Sequence, residues 1–339
     1  MPFADFADLG RDLAYVSAAA ILLVHGAFIA MPSSGAPALT AEQLAAFDRD
    51  GYLVLPRFST DAEMLQLREA AASIEEAYDP AVDGGCIFTT SDSAAARKFS
   101  DAYFLGSASV TRCFTEELTA KDLPADSGES GGGERKAPPL NKIGHTLHDA
   151  HPVFDPFSHS PAVRALLLDG LGMGTPRMVQ SMYIFKHPLV GGAVPPHRDA
   201  TFLHTSPVDT VTGLWWAVDD ASVGNGCLWA LPGSHRQGVP RKMVLNSARD
   251  GTMFEGEDPA AAGAVVPPIP DSTGGWVPLE VARGGLVLLH GAVLHRSGRN
   301  ASGVPRHAYS VHVVDLRPGV TWDESNWLQR PPDFPFRGF

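Results

Sequence analysis

Hydrophobic positions near the start of the folded part recur at helical spacing, whereas those beyond Asn141 come in short runs. In LTAEQLAAFDRDGYLVLPRFST, Leu44 and Phe47 fall on one helical face, and Thr40 stands three residues before Gln43, the register of a capping box. The pattern predicts a short helix leading into a strand from Gly51 to Leu55. A second capping box, Thr60 with Glu63, opens a helix over MLQLREAAASIEEAY. After Asn141, MVQSMYIFKHP, VTGLWWAVDD, GCLWALPGSH, GGLVLLHGAVLHRSG and HAYSVHVVDL are β-branched or aromatic segments bounded by Gly, Pro and Asn. Many short strands separated by turn residues predict a jelly-roll or barrel rather than a parallel βαβ sheet.

Two segments stand outside this pattern. Leu13 to Met31 is apolar apart from Ser17 and His25, about as long as the roughly 20 residues that span a bilayer. Its flank carries Asp5, Asp8 and Asp12 against Arg11, the wrong charge for an export signal. Residues 1–36 are therefore read as an N-terminal extension, for targeting or dispensable, and 37–339 as one folded domain. Membrane contact is expected only through the extension; the chain ends in RGF, not a peroxisomal tripeptide, and a cytoplasmic location is expected. Residues 125–139 (ADSGESGGGERKAPP) read as a flexible insertion.

A formal charge of −12 with no basic run argues against nucleic acid and for a small-molecule partner. The 3 cysteines, Cys86, Cys113 and Cys227, are too few and too scattered for a disulfide framework or a cysteine zinc site. The 13 histidines are then the main metal-binding resource.

The stretch PPHRDATF sets His197 two residues before Asp199, so that a strand would turn both to one face. Alone, such a pair is usually a surface or hydrogen-bonding pair. A third ligand has three candidates, His290, His295 and His312, and facing strands of a barrel would supply it. Two imidazoles and a carboxylate make the facial triad of non-haem Fe(II) oxygenases, and zinc accepts the same ligands. Strand periodicity favours His295, because Ser297 shares its face and Arg306 follows on the next expected strand. An arginine inside a barrel needs an anion, and its planar fork suits a carboxylate. Metal, hydroxyl and arginine together describe a pocket for a dicarboxylate.

With LNKIGHTLHDAHPVF, MVQSMYIFKHPLVGGAVPPHRDATFLHT, NGCLWALPGSHRQGV, LVLLHGAVLHRSGRN, PRHAYSVHVVD and TWDESNWLQ, the chain resembles the phytanoyl-CoA dioxygenase family from about Thr40 to Leu328. The resemblance implies a double-stranded β-helix with flanking helices, using Fe(II) and 2-oxoglutarate and converting the latter with O2 to succinate and CO2. It implies that His197, Asp199 and His295 bind iron, that Arg306 pairs with the far carboxylate of 2-oxoglutarate near Ser297, and that Lys142, Met182 and Trp215 line the co-substrate pocket. Trp215 is preferred to Trp216 by its spacing to NGC. Halogenases of this superfamily replace the carboxylate by a small residue; Asp199 therefore favours hydroxylation.

Each of these has a plainer reading. Lys142, near an expected helix start, would ordinarily be solvated, Met182 would be core and Trp215 a barrel aromatic. His290 is expected to end a buried strand and bond locally, His204, His235 and His312 to be structural or to support the site from outside it, and NGCLWALPGSH to be a turn and strand. Competing functions are a metal- and 2-oxoglutarate-binding sensor and a zinc hydrolase, the latter lacking an evident general base. A branched acyl-CoA is one substrate the resemblance suggests, although no basic rim for its phosphates is apparent.

Overall fold

In the computed structural model of the chain, residues 39–87, 102–117, 138–207, 210–257 and 274–339 are described. The strands are β1 (Tyr52–Leu55), β2 (Cys86–Ile87), β3 (Arg112–Thr115), β4 (Leu140–His145), β5 (Pro176–Ile184), β6 (Val194–His197), β7 (Thr205–Ser206), β8 (Val211–Ala217), β9 (Leu228–Ala230), β10 (Arg241–Leu245), β11 (Thr252–Gly256), β12 (Val277–Leu279), β13 (Leu286–His290), β14 (His295–Ser297), β15 (Ala308–Asp315) and β16 (Thr321–Trp322). A large sheet runs β1-β13-β8-β15-β5-β4-β3-β2 and a small one β12-β9-β14-β6. These are the two sheets of a double-stranded β-helix, the expected fold.

Alternation along the large sheet separates packing from chemistry. Leu214, Trp216, Leu286, Leu288, Tyr309, Val311 and Val313 join one core with Met64 and Leu67. Those two residues lie on helix α2 (Asp61–Ala77), which follows α1 (Ala41–Asp50). Both helices begin as their sequences require: Thr40 Oγ1 accepts from the Gln43 N–H at 3.2 Å, and Thr60 Oγ1 from the Glu63 N–H at 3.2 Å. Helix α1 stops at Gly51, whose φ of 80° is left-handed, and the chain turns directly into β1. Met64 and Leu67 are buried, contributing about 1.5–3 kcal/mol each.

The other face carries the site. Cross-strand register places Met182 of β5 opposite Ser310 of β15, and Ser310 opposite Trp215 of β8. Two residues along, on the same face, Gln180, His312 and Gly213 form the next row.

Four expectations change. Strand β6 ends at His197, and Asp199 begins the one-turn helix Asp199–Phe202, so the pair does not share a strand face. His295 and His197 come from hydrogen-bonded neighbours in the small sheet, directly paired, not from facing strands. Arg306 precedes β15 rather than lying on it, and Lys142 is inside β4, not beside a helix start. Residues 1–36, and all of 125–139 but its last two residues, lie outside the described residues. Among the described residues no helix is long and apolar enough to cross a membrane.

Candidate active site

The pairing of β6 with β14 brings the His197 and His295 rings to 4.2 Å between centroids. The first turn after β6 then swings Asp199 beneath them, with Oδ1 3.7 Å from His197 Nε2 and 3.5 Å from His295 Nε2. One ligand atom from each residue lies within 4.8 Å of the others. Arg198, between the two ligands, is buried and points away, donating from Nη1 to the Ser234 carbonyl at 2.9 Å and from Nη2 to Gln237 Oε1 at 3.1 Å. The Ala200 N–H donates to the Gly291 carbonyl at 2.9 Å. These anchors fix the backbone on both sides of Asp199.

The imidazoles are oriented for a metal. His197 Nδ1 lies 2.9 Å from the Pro195 carbonyl and His295 Nδ1 3.1 Å from the Val293 carbonyl. A carbonyl can only accept, so each Nδ1 carries the proton and each Nε2 turns a lone pair towards the shared point. Burial, then the neighbouring His295, lowers His197 to about 4 despite Asp199, leaving it neutral at ordinary pH. Burial opposes ionisation of Asp199, but His295, His312 and His197 outweigh it and hold the carboxyl well below its usual range. Neutral nitrogen lone pairs around a carboxylate are the donor set a divalent cation requires, and the residues fit Fe(II).

A buried cation without a counter-ion among the described residues lies over Trp215, which is two residues along β8 from Gly213. Arg306 is 2% exposed, and its guanidinium has no hydrogen-bond or ion-pair partner among the described residues, with Nε wholly buried. It lies over Trp215 at 5.3 Å, and burial lowers it to about 10. Isolated burial of a charge is costly, so this arrangement fits an anion that arrives with the ligand. Ser297, two residues after His295, accepts from Lys186 Nζ at 3.1 Å. Lys186 also donates to the Gly192 carbonyl at 2.6 Å and the Gly298 carbonyl at 2.7 Å, an acceptor for each ammonium hydrogen. Its stem is enclosed by glycine: a Cβ at Gly191 would stand 2.5 Å from Lys186 Cγ, and one at Gly226, where φ is +87°, 2.7 Å from Lys186 Cδ and 2.6 Å from the Gly298 carbonyl.

Lys142 is buried, with Nζ 3.9 Å from Met182 Sδ and 5.2 Å from the centre of the Phe114 ring. Burial lowers it to about 7. The predicted residues thus fall into a group that could hold a metal (His197, Asp199, His295), a set around Arg306 and Lys186 (Ser297, Arg306, Trp215), and the pair Lys142 and Met182, which the Met182–Ser310–Trp215 row joins to Trp215. Trp216 belongs to the packed core on the opposite face.

His290 ends β13 and accepts from the Ala292 N–H at 3.1 Å, its ring against His235 at 5.0 Å. His235 Nε2 lies 3.0 Å from the Asp48 carbonyl and His204 Nε2 3.2 Å from Ser325 Oγ, both away from the metal group. Asn225 and Gly226 form the turn before β9, as expected. Sequence reasoning missed Lys186 and gave His312 no specific role, although its Nε2 stands 3.3 Å from Asp199 Oδ2. The signal for His312 is parity, since it lies two residues from Ser310 on β15; Lys186 lies beyond the end of β5 and has no such signal.

Residues 47–308 match the family described as Phytanoyl-CoA dioxygenase (PhyH). The chain is 41% identical over 304 residues to phytanoyl-CoA dioxygenase domain-containing protein 1 of Mus musculus, covering 88% of this chain and 97% of that one. It is 40% identical over 304 residues to phytanoyl-CoA dioxygenase 1 of Oryza sativa subsp. japonica, covering 89% and 98%. Similar solved structures include the non-haem α-ketoglutarate-dependent carbocyclase SnoK from nogalamycin biosynthesis, at 20% identity and a TM-score of 0.54 over 84% of this chain and 86% of that one. EctD from S. alaskensis in its apoform aligns at 18% identity and a TM-score of 0.55 over 91% and 86%. At these identities the structures share the fold.

Proposed function

The chain belongs to the phytanoyl-CoA dioxygenase family, and from that premise we propose how its residues divide the work of oxidising a small organic substrate. It is a non-haem Fe(II)- and 2-oxoglutarate-dependent dioxygenase. His197 and His295 hold the iron through Nε2 and Asp199 through its carboxylate. Arg306 takes the far carboxylate of 2-oxoglutarate, Ser297 contributes a hydroxyl beside it, and Trp215, Met182 and Lys142 close the pocket against water. Bound there, iron and 2-oxoglutarate supply the activation of O2, with succinate and CO2 as co-products. The protein supplies coordination geometry, a fixed orientation and charge balance: metal, Asp199, the co-substrate dianion and Arg306 together sum to neutrality, which a buried site favours.

What supports this division is Arg306, buried over Trp215 with no carboxylate partner among the described residues, together with a preassembled pair of imidazoles and a carboxylate. Retention of Asp199 supports hydroxylation as the outcome. The substrate we propose is small or lipid-derived, and acyl-CoA thioesters, named in the relatives, head the panel to be tried beside the free acids.

The test is anaerobic loading with Fe(II), then succinate formation in air by the native protein, Asp199→Ala and Arg306→Ala. Native turnover lost in both variants is expected. Iron and 2-oxoglutarate binding without turnover for any panel member would favour a sensor instead.

A further inference from the structure

We propose that His312 is a positioning residue for the metal-binding carboxylate, holding one oxygen of Asp199 from the large sheet so that the other is presented to the metal from below the two imidazoles. The inference rests on the reading of His197, Asp199 and His295 as metal ligands and goes beyond it. The two oxygens of Asp199 have different surroundings. Oδ1 faces His197 and His295 at 3.7 and 3.5 Å, whereas Oδ2 is buried, has no well-aligned hydrogen-bond partner among the described residues, and meets His312 Nε2 at 3.3 Å. A carboxylate on a one-turn helix can rotate about its last torsion, and this torsion has broad, weak preferences. Without a group at Oδ2, both oxygens could turn to the same cation and occupy a position that co-substrate or O2 needs.

The sheet is shaped to admit this contact. Gly213 is paired directly with His312, and a Cβ there would come within 3.0 Å of Asp199 Oδ2 and 3.7 Å of His312 Cδ2. Gly213 lies inside β8, outside the left-handed conformations that ordinarily call for glycine, so the need is for space. The glycine leaves room for the carboxylate between the two strands.

The other ring nitrogen extends the role. His312 is 4% exposed and its Nδ1 has no hydrogen-bond partner among the described residues. With the proton on Nε2 facing the carboxylate, Nδ1 is an acceptor. It is therefore placed to receive a hydrogen bond from water or from a hydroxyl or amide in the pocket, coupling what enters the pocket to the orientation of Asp199.

Cobalt(II) as a spectroscopic probe tests this without turnover. His312→Leu, which removes the donor, and His312→Gln, which keeps an N–H at similar reach, are compared with the native protein for Co(II) affinity and visible d–d spectrum. Loss of a group supporting a metal ligand ordinarily weakens binding about 10- to 100-fold. The expected result is that loss in His312→Leu, with a weaker d–d absorption as the carboxylate turns bidentate, and at least partial restoration of both in His312→Gln. Native affinity and spectrum in a folded His312→Leu overturn the inference; so does failure of a folded His312→Gln to restore either. If His312→Leu does not fold, His312→Gln is compared with a folded His312→Asn, whose shorter side chain should show the loss that Gln does not. If the native protein itself fails to bind Co(II), the metal-site reading falls first and takes this inference with it.

Discussion

Replacing Arg306 by methionine should move function and stability in opposite directions. Arg306 is 2% exposed and has no ion-pair partner among the described residues, so the protein alone bears the desolvation of a charge. Substitution by an apolar side chain of similar length relieves that penalty and forfeits the contact with Trp215 at 5.3 Å, worth about 0.5–2 kcal/mol. Replacing buried charges by apolar groups ordinarily stabilises by about 1–4 kcal/mol, so a net gain of about 1–3 kcal/mol is expected without co-substrate. At roughly 2–4 °C per kcal/mol, that is a rise of several degrees in Tm. With 2-oxoglutarate the sign reverses. Removing one partner of a buried pair costs about 3–5 kcal/mol, which at about 1.4 kcal/mol per decade raises the KM for 2-oxoglutarate by roughly two to three and a half orders of magnitude. The assay is succinate formation across a range of 2-oxoglutarate, with thermal unfolding in its presence and absence. The native protein should gain Tm on adding 2-oxoglutarate and the variant should not. A native KM in Arg306→Met would refute the assignment of the anion site, and a lower Tm without co-substrate would refute the energetic argument.

The other predictions use the same two readouts. Ser297→Ala should raise the KM for 2-oxoglutarate about tenfold, the effect of one hydrogen bond to a charged group, with little change in far-UV circular dichroism. Trp215→Ala should act on that KM, whereas Trp216→Ala, from the packed core, should lower stability by about 3–5 kcal/mol in denaturant titration. Arg330 and His148 meet the buried Asp149, and Arg330→Met should cost about 3–5 kcal/mol of stability. Burial works against the Asp149 carboxylate, but His148 and Arg330 more than reverse that and lower it to about 2. Its folded value is below its unfolded one, so its stabilisation is present above about pH 4 and lost as pH falls towards 2; acid-unfolding curves of native protein and Asp149→Asn should converge across that window.

Local features were legible in the chain because their causes are local. Both capping boxes form with the residues their spacing indicated, and the Asn225–Gly226 turn precedes its strand. The metal group was legible because its residue types are rare in combination and the family motif ties them together. What escaped depends on cross-strand register. No local pattern says that His312 pairs with Gly213, or that the space left by that glycine is taken by Asp199. The strand reading of His197 and Asp199 failed because β6 gives way to a helical turn, which presents the carboxylate by a route that alternation does not describe. Lys186 escaped because it lies beyond the end of β5, where parity no longer applies, and two of its three acceptors, Ser297 and Gly298, come from the end of β14, far along the chain.

The glycine enclosure of Lys186 bears on how this enzyme can diversify. At Gly191 and Gly226 any side chain would collide with the lysine stem, and at Gly226 also with backbone, so sequence drift at this end of the pocket is closed off. His197, by contrast, keeps a quarter of its side chain exposed, with Phe202 beside its ring at 6.0 Å and Phe254 next to Phe202 at 6.2 Å. Variation there meets solvent and exchangeable aromatic contacts. Substitutions at Gly191 and Gly226 should therefore be tolerated far less well than substitutions at Phe202 and Phe254, and a saturation library at these four positions would measure the difference.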